Sequence, residues 1–126
     1  MAVNPKTVMI VEDEPDAAEL FAEMMRVSGF HVLKAHASTP AIRLITQEKP
    51  DVIILDIMMP DISGLEILRY MRREADLARI PVVVVSAKSL PSDVQEGLEA
   101  GASIYLTKPV GFAELTNAVE RALRVS

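Results

Sequence analysis

The stretch Asp51 to Gly64, DVIILDIMMPDISG, constrains this chain more than any other. Its apolar run ends on a single carboxylate, Asp56, and the chain then breaks at Pro60. A short apolar run bounded by turn signals fits a strand buried on both faces. Asp56 then stands at that strand's carboxyl end, and the rest of the chain is read as what surrounds it.

At 126 residues the chain is near the modal size of one domain, about 100 to 150 residues, so a single domain over residues 1–126 is expected. Half of the residues are apolar, enough for a substantial core. The formal net charge of -5 is the wrong sign for a phosphate backbone, which requires clustered Lys and Arg, so direct nucleic-acid binding is not expected. There is no cysteine, which removes disulfide and thiolate–metal chemistry. No apolar run approaches the roughly 18 residues of a spanning helix. The amino terminus, MAVNPKTVMIVEDE, lacks a charged start, apolar core and cleavage site. The expectation is a soluble cytoplasmic domain without a membrane partner.

Lys6–Glu12 reads as a first buried strand ending in the acids Glu12, Asp13 and Glu14. Pro15 suits the first turn of a helix, and Ala17, Leu20, Phe21 and Met24 recur at helical spacing until Gly29 stops it. His31–Ala37 alternates as an edge strand does, and Thr39–Glu48 places Ala41, Leu44 and Ile45 on one side of a short helix. After Asp56, Ser63 and Glu66 have the spacing of a capping box, with Leu65, Leu68 and Met71 continuing a helix that Arg72, Arg73 and Glu74 finish in solvent. Pro81–Ser86 is almost pure β-branched valine and reads as a strand. Pro91–Ala100 is a helix stopped by Gly101, Ser103–Thr107 a last short strand, and Phe112–Arg124 a final helix with Leu115, Val119, Ala122 and Leu123 inward.

Five strands alternating with five helices imply right-handed crossovers and one parallel sheet covered on both sides, an α/β fold. In such sheets ligands bind outside the carboxyl ends of the strands. That rule gathers Glu12, Asp13, Asp56, Ser86 and Lys108 on one rim. Each has an ordinary explanation, since strand ends carry Asp or Ser where a turn follows, and a lysine before a proline is commonly solvated. Together they point to chemistry, because clustered carboxylates repel unless a cation neutralises them. Oxygen-only ligands suit Mg2+ (or Mn2+), held by Asp13 and Asp56. A carboxylate can attack phosphorus, and a metal and a lysine can stabilise the transferring group. Asp56 is the central candidate, with Ser86 and Lys108 as partners for phosphoryl oxygens.

Glu12-Asp13 after a first strand, Asp56-Ile57-Met58-Met59-Pro60 with Gly64, Ser86-Ala87 and Lys108-Pro109 resemble the receiver domain of two-component response regulators over essentially the whole chain. The resemblance implies a flavodoxin-like, three-layer doubly wound (βα)5 fold with strand order 2-1-3-4-5. It implies that Asp56 accepts a phosphoryl group from a phosphohistidine on a histidine kinase or histidine phosphotransfer protein. Mg2+ would be bound by Asp13, Asp56 and the backbone carbonyl of Met58, with Glu12 acting through a water. Ser86 and Tyr105 would be the switch pair: Ser86 moves to bond the phosphoryl group and Tyr105 turns into the vacated space, changing the surface of the fourth helix, fifth strand and fifth helix for an output partner. The Lys108–Pro109 bond is expected to be cis. Such a chain catalyses its own phosphorylation and dephosphorylation and is not a turnover enzyme.

Ser103-Ile104 stand where dimerising transcription-factor receivers tend to carry acids. The resemblance places Met58 and Lys88 at positions that influence phosphoryl lifetime; an apolar Met58 would slow hydrolysis by shielding the group, while Lys88 leaves the net effect open. Ala18 and Ala22 on the first helix would let a kinase helix approach closely, or reflect helix propensity alone. Met24, Met25, Met58 and Met59 suggest packing, or an adaptable binding surface. His31 and His36 are expected at the surface, away from the rim. A phosphatase with an aspartyl nucleophile would want an acid where Met58 stands. A flavin or dinucleotide binder would want a phosphate-cradling loop where Glu12-Asp13-Glu14-Pro15 stands. The remaining alternative is a phosphorylation-independent interaction module of the same fold.

Overall fold

The computed structural model describes residues 4–125. Strands and helices alternate: β1 (Thr7–Val11), α1 (Pro15–Val27), β2 (His31–Ala35), α2 (Ser38–Glu48), β3 (Val52–Leu55), α3 (Gly64–Arg73), β4 (Val82–Ser86), α4 (Pro91–Ala100), β5 (Ile104–Thr107) and α5 (Phe112–Arg124). The strands form one sheet in the order β2-β1-β3-β4-β5, and every neighbouring pair is parallel. This is the α/β, flavodoxin-like architecture expected. No described helix is long and apolar enough to cross a membrane.

The central strands explain the continuous apolar runs. All four residues of β3 and all five of β4 are buried, because helices cover both faces and alternation has nothing polar to display. Successive side chains feed opposite layers. Met9, Val11, Ile53, Leu55, Val82 and Val84 pack with Ile45, Leu68 and Met71 on one face. Val8, Ile10, Val52, Ile54, Val83 and Val85 pack with Phe21, Met25, Leu115 and Val119 on the other.

Three local expectations need correction. The buried face of α1 is Ala18, Phe21, Ala22 and Met25, one residue on from the Ala17, Leu20, Phe21 and Met24 face; Leu20 is 56% exposed. The capping box of α3 is half formed. Ser63 Oγ accepts from the Leu65 N–H at 3.2 Å, whereas Glu66 is drawn to Arg69 on the next turn. Arg72 does not finish α3 in solvent. Its Nε and Nη2 donate to the Gly101 carbonyl at 3.0 and 2.8 Å, and its Nη1 donates to Ala78 and Ile80 carbonyls at 3.1 and 2.8 Å. Gly101, at φ 118°, ends α4 in the left-handed region and so turns its carbonyl group to that guanidinium.

Candidate functional site

The rim is built by strand ends. The Glu12 N–H donates to the Ala35 carbonyl and the Asp56 N–H to the Val11 carbonyl, both at 3.0 Å. These bonds continue the ladder by one residue and set Glu12 and Asp56 side by side just beyond β1 and β3. Carboxylate oxygens of Glu12, Asp13 and Asp56 all lie within 4.8 Å of one another. From the far side of the sheet, the Lys108 N–H donates to the Ser86 carbonyl at 2.9 Å, and the Lys108–Pro109 peptide is cis. The Lys108 ammonium then donates to Glu12 Oε1 at 2.7 Å and to Asp56 Oδ2 at 3.1 Å. It also stands 6.0 Å from the centre of the Phe21 ring, at the limit of a cation–π contact.

The electrostatics of this cluster are unbalanced. Three carboxylates against one ammonium leave two formal negative charges in a site where Glu12 and Asp56 are buried. Burial, and then the charge of Asp56, hold the Glu12 carboxyl above its ordinary pKa, although the Lys108 and Glu14 N–H groups pull the other way. Burial opposes the charged form of Lys108, yet its bonds to Glu12 and Asp56 leave its pKa raised. A hard divalent cation would supply the missing charge, and the all-oxygen donor set fits Mg2+ or Mn2+.

Asp56 is oriented from both sides, since Oδ1 accepts the Met58 N–H at 2.9 Å while Oδ2 faces Lys108. The Met58 side chain is 51% exposed at the mouth of the rim. Ser86 is fully buried at the end of β4, and its Oγ accepts the Lys88 N–H at 3.1 Å. Tyr105 lies in β5 opposite Val84, and its hydroxyl donates to the Lys88 carbonyl at 2.8 Å. Lys88 therefore bridges Ser86 and Tyr105 through its backbone. Its own residue is exposed.

Two expectations fail at the rim. Ala18 and Ala22 are both fully buried in the core and offer no surface to a partner helix; on α1 the exposed apolar side chains are Leu20 and Val27. His36 is exposed, as expected, but it is not remote, because its Nδ1 stands 3.1 Å from the Glu12 carbonyl oxygen. Ser38 and Asp61 were not read from the sequence. The buried Ser38 hydroxyl donates to the Ile62 carbonyl at 2.5 Å, and the Ser38 N–H donates to the Asp61 carboxylate at 3.3 Å. Asp61 thus caps α2 in place of Ala37, which brings no side-chain cap, and the pair ties down the loop that carries Met58. A serine opening a helix was the available signal.

The profile of the response regulator receiver domain matches residues 8–120. The probable transcriptional regulatory protein TcrX of Mycobacterium tuberculosis is 37% identical over 121 residues, which cover 96% of this chain and 51% of that protein. The chain thus spans about half the length of TcrX. The polar-differentiation response regulator DivK of Brucella anthropi is 30% identical over 119 residues, covering 94% of this chain and 97% of that protein. Among solved structures, the receiver domain of sensor histidine kinase PA1611 from Pseudomonas aeruginosa superposes with a TM-score of 0.88 at 28% identity, covering 95% of this chain and 98% of that one. That structure has a magnesium ion coordinated in its active-site cleft. The match runs from β1 into α5 and takes in every strand end on the rim, and on that ground the chain belongs to the receiver domains of two-component response regulators.

Proposed function

We propose that this chain is the phosphoacceptor of a phosphorelay, taking a phosphoryl group onto Asp56 from a phosphohistidine of a histidine kinase or histidine phosphotransfer protein. The observation that carries this reading is the placement of one buried carboxylate, Asp56, between two further acids and an ammonium 3.1 Å away. An Asp56 oxygen attacks phosphorus, a new O–P bond forms as the N–P bond breaks, and the imidazole nitrogen leaves with the electron pair. Asp13, Asp56 and the Met58 carbonyl would hold Mg2+ (or Mn2+) directly, and Glu12 would act through a water. When bound, the ion offsets the charge of the phosphoryl oxygens.

The chain's own groups do the rest. The Met58 N–H fixes one Asp56 oxygen, so the carboxylate is oriented before a donor arrives. Lys108 compensates charge on the transferred group. Ser86 exchanges its bond from Lys88 for one to a phosphoryl oxygen. The Lys88 backbone also holds the Tyr105 hydroxyl, so this exchange reaches β5 and the surface that α4, β5 and α5 present to an output protein. The chain promotes its own phosphorylation and hydrolysis without being a turnover enzyme, and a cytoplasmic site of action belongs to the same reading.

Intact-protein mass after incubation with acetyl phosphate and Mg2+ tests it. The native chain should gain one phosphoryl group that hydroxylamine removes, and Asp56→Asn should gain none. No gain in a chain shown separately to bind Mg2+ would refute the reading in favour of an interaction module of the same fold.

A further inference from the structure

Glycine is disfavoured in a helix interior relative to alanine, and one placed there calls for a packing reason. Gly97 lies inside α4. Its backbone does not require glycine, because the positive-φ glycines among the described residues are Gly29 and Gly101. What requires it is a neighbour. A Cβ at Gly97 would stand 2.6 Å from Cδ2 and 2.7 Å from Cε2 of the Tyr105 ring, and the next nearest atom is again in that ring. Gly97 and Ala100 are the buried residues of α4. The helix therefore rests on the sheet edge through its two smallest side chains, and the ring fills the space below.

We propose that Gly97 is the positioning residue for Tyr105: its missing side chain opens the notch in which the ring lies, with the hydroxyl held on Lys88. The ring is fixed at two points, its Cδ2–Cε2 edge by Gly97 and its hydroxyl by the Lys88 carbonyl, and the second point adjoins the N–H that Ser86 accepts. A larger residue at 97 drives the ring outward and breaks that connection. The signalling consequence rests on the proposed role of Tyr105 as the switch aromatic; the packing does not. Burial in this notch also raises the Tyr105 pKa above its ordinary 10.0, which gives the position a spectroscopic signature.

The test uses the full chain, which has two tyrosines and no tryptophan. In a Tyr70→Phe background, Tyr105 alone reports phenolate absorbance and acrylamide quenching of tyrosine emission. Gly97→Ala should shift the phenolate midpoint down toward that of free tyrosine and increase quenching. Stability gives an independent check by sign. Gly97→Ala should destabilise the chain with Tyr105 present and stabilise it in a Tyr105→Ala background, where only helix propensity remains. Unchanged midpoint and quenching overturn the proposal, as does a stability effect of the same sign in both backgrounds. Phosphoryl uptake from acetyl phosphate, measured on the same variants, keeps the two readings apart. Its absence would sink the phosphoacceptor reading and leave the notch standing.

Discussion

The Lys108 ammonium lies closer to Glu12, at 2.7 Å, than to Asp56, at 3.1 Å. It therefore occupies the acidic cluster as a cation of its own and competes electrostatically with any metal ion there. Removing it should strengthen metal binding even as it weakens phosphoryl transfer. Interactions between charges about 4 Å apart are worth several kcal/mol at an effective dielectric near 20, so Lys108→Met should raise Mg2+ affinity by roughly tenfold or more. Calorimetric titration with Mg2+ checks this; an unchanged affinity would mean that the ammonium swings away from the cluster in solution.

Gly64 packs its Cα directly on the chain at Asp56 and Ile57. A Cβ there would collide with the Asp56 carbonyl oxygen and stand 2.8 Å from the Ile57 Cα, and both are backbone atoms that cannot rotate aside. Gly64→Ala should cost about 1–3 kcal/mol, the usual range for overpacking. It should also slow phosphoryl uptake, because relief requires moving α3 or Asp56. Urea denaturation and the uptake rate measure the two effects, and a substitution silent in both would show that the loop yields freely.

A charged strap on the other side of the molecule sets an acid-dependent contribution. Glu19 accepts from Lys34 at 2.5 Å and from Arg26 at 3.0 Å, and these partners, Lys34 first, hold its carboxyl below its ordinary pKa of 4.5. A depressed carboxylate contributes stability above the unfolded-state value and loses it as pH falls through the folded-state value. Glu19→Gln should therefore lower the melting temperature at neutral pH and have no effect once pH is below the folded-state value. The neutral-pH difference should shrink in molar salt, where the Debye length is about 3 Å. A difference that survives both acid and salt would assign Glu19 a packing role instead.

Met58 stands half-exposed beside Asp56, and on the proposed function it would border the route of a water that attacks the phosphoryl group. Replacing its apolar side chain with a polar one should admit that water, so Met58→Asn should shorten the life of the phosphorylated form. Loss of the phosphoryl mass over time, after the donor is removed, provides the measurement. An unchanged rate would mean that Met58 does not shield the group.

The fold was legible because strand runs and helical spacing each name their partner layer, and β3 and β4 had no polar face to confuse the reading. The acidic rim was legible because topology alone sends strand ends to one edge. What the sequence did not disclose was choice between equivalent patterns. On α1, the series beginning at Ala17 and at Ala18 both recur at helical spacing, and the fold buries the second, which carries two alanines. The fate of Arg72 depended on carbonyl groups of Ala78, Ile80 and Gly101, which no side-chain pattern records. The half-formed cap at Ser63 reflects competition, since Glu66 had a nearer cation in Arg69. His36 reached the rim because β2 ends at Ala35, one residue before it, where alternation stops governing direction.

The Arg72 clamp has a mechanical corollary. One guanidinium joins the end of α3, the loop before β4 and the last turn of α4, so the C-terminal end of α4 is riveted to the body of the domain. Its N-terminal end follows the loop that holds Ser86 and Tyr105 through Lys88. On the proposed switch, a helix held at one end and steered at the other would act as a lever: a small displacement at Lys88 would become rotation about Gly101, and the exposed Leu90, at the far end from that pivot, would sweep the widest arc.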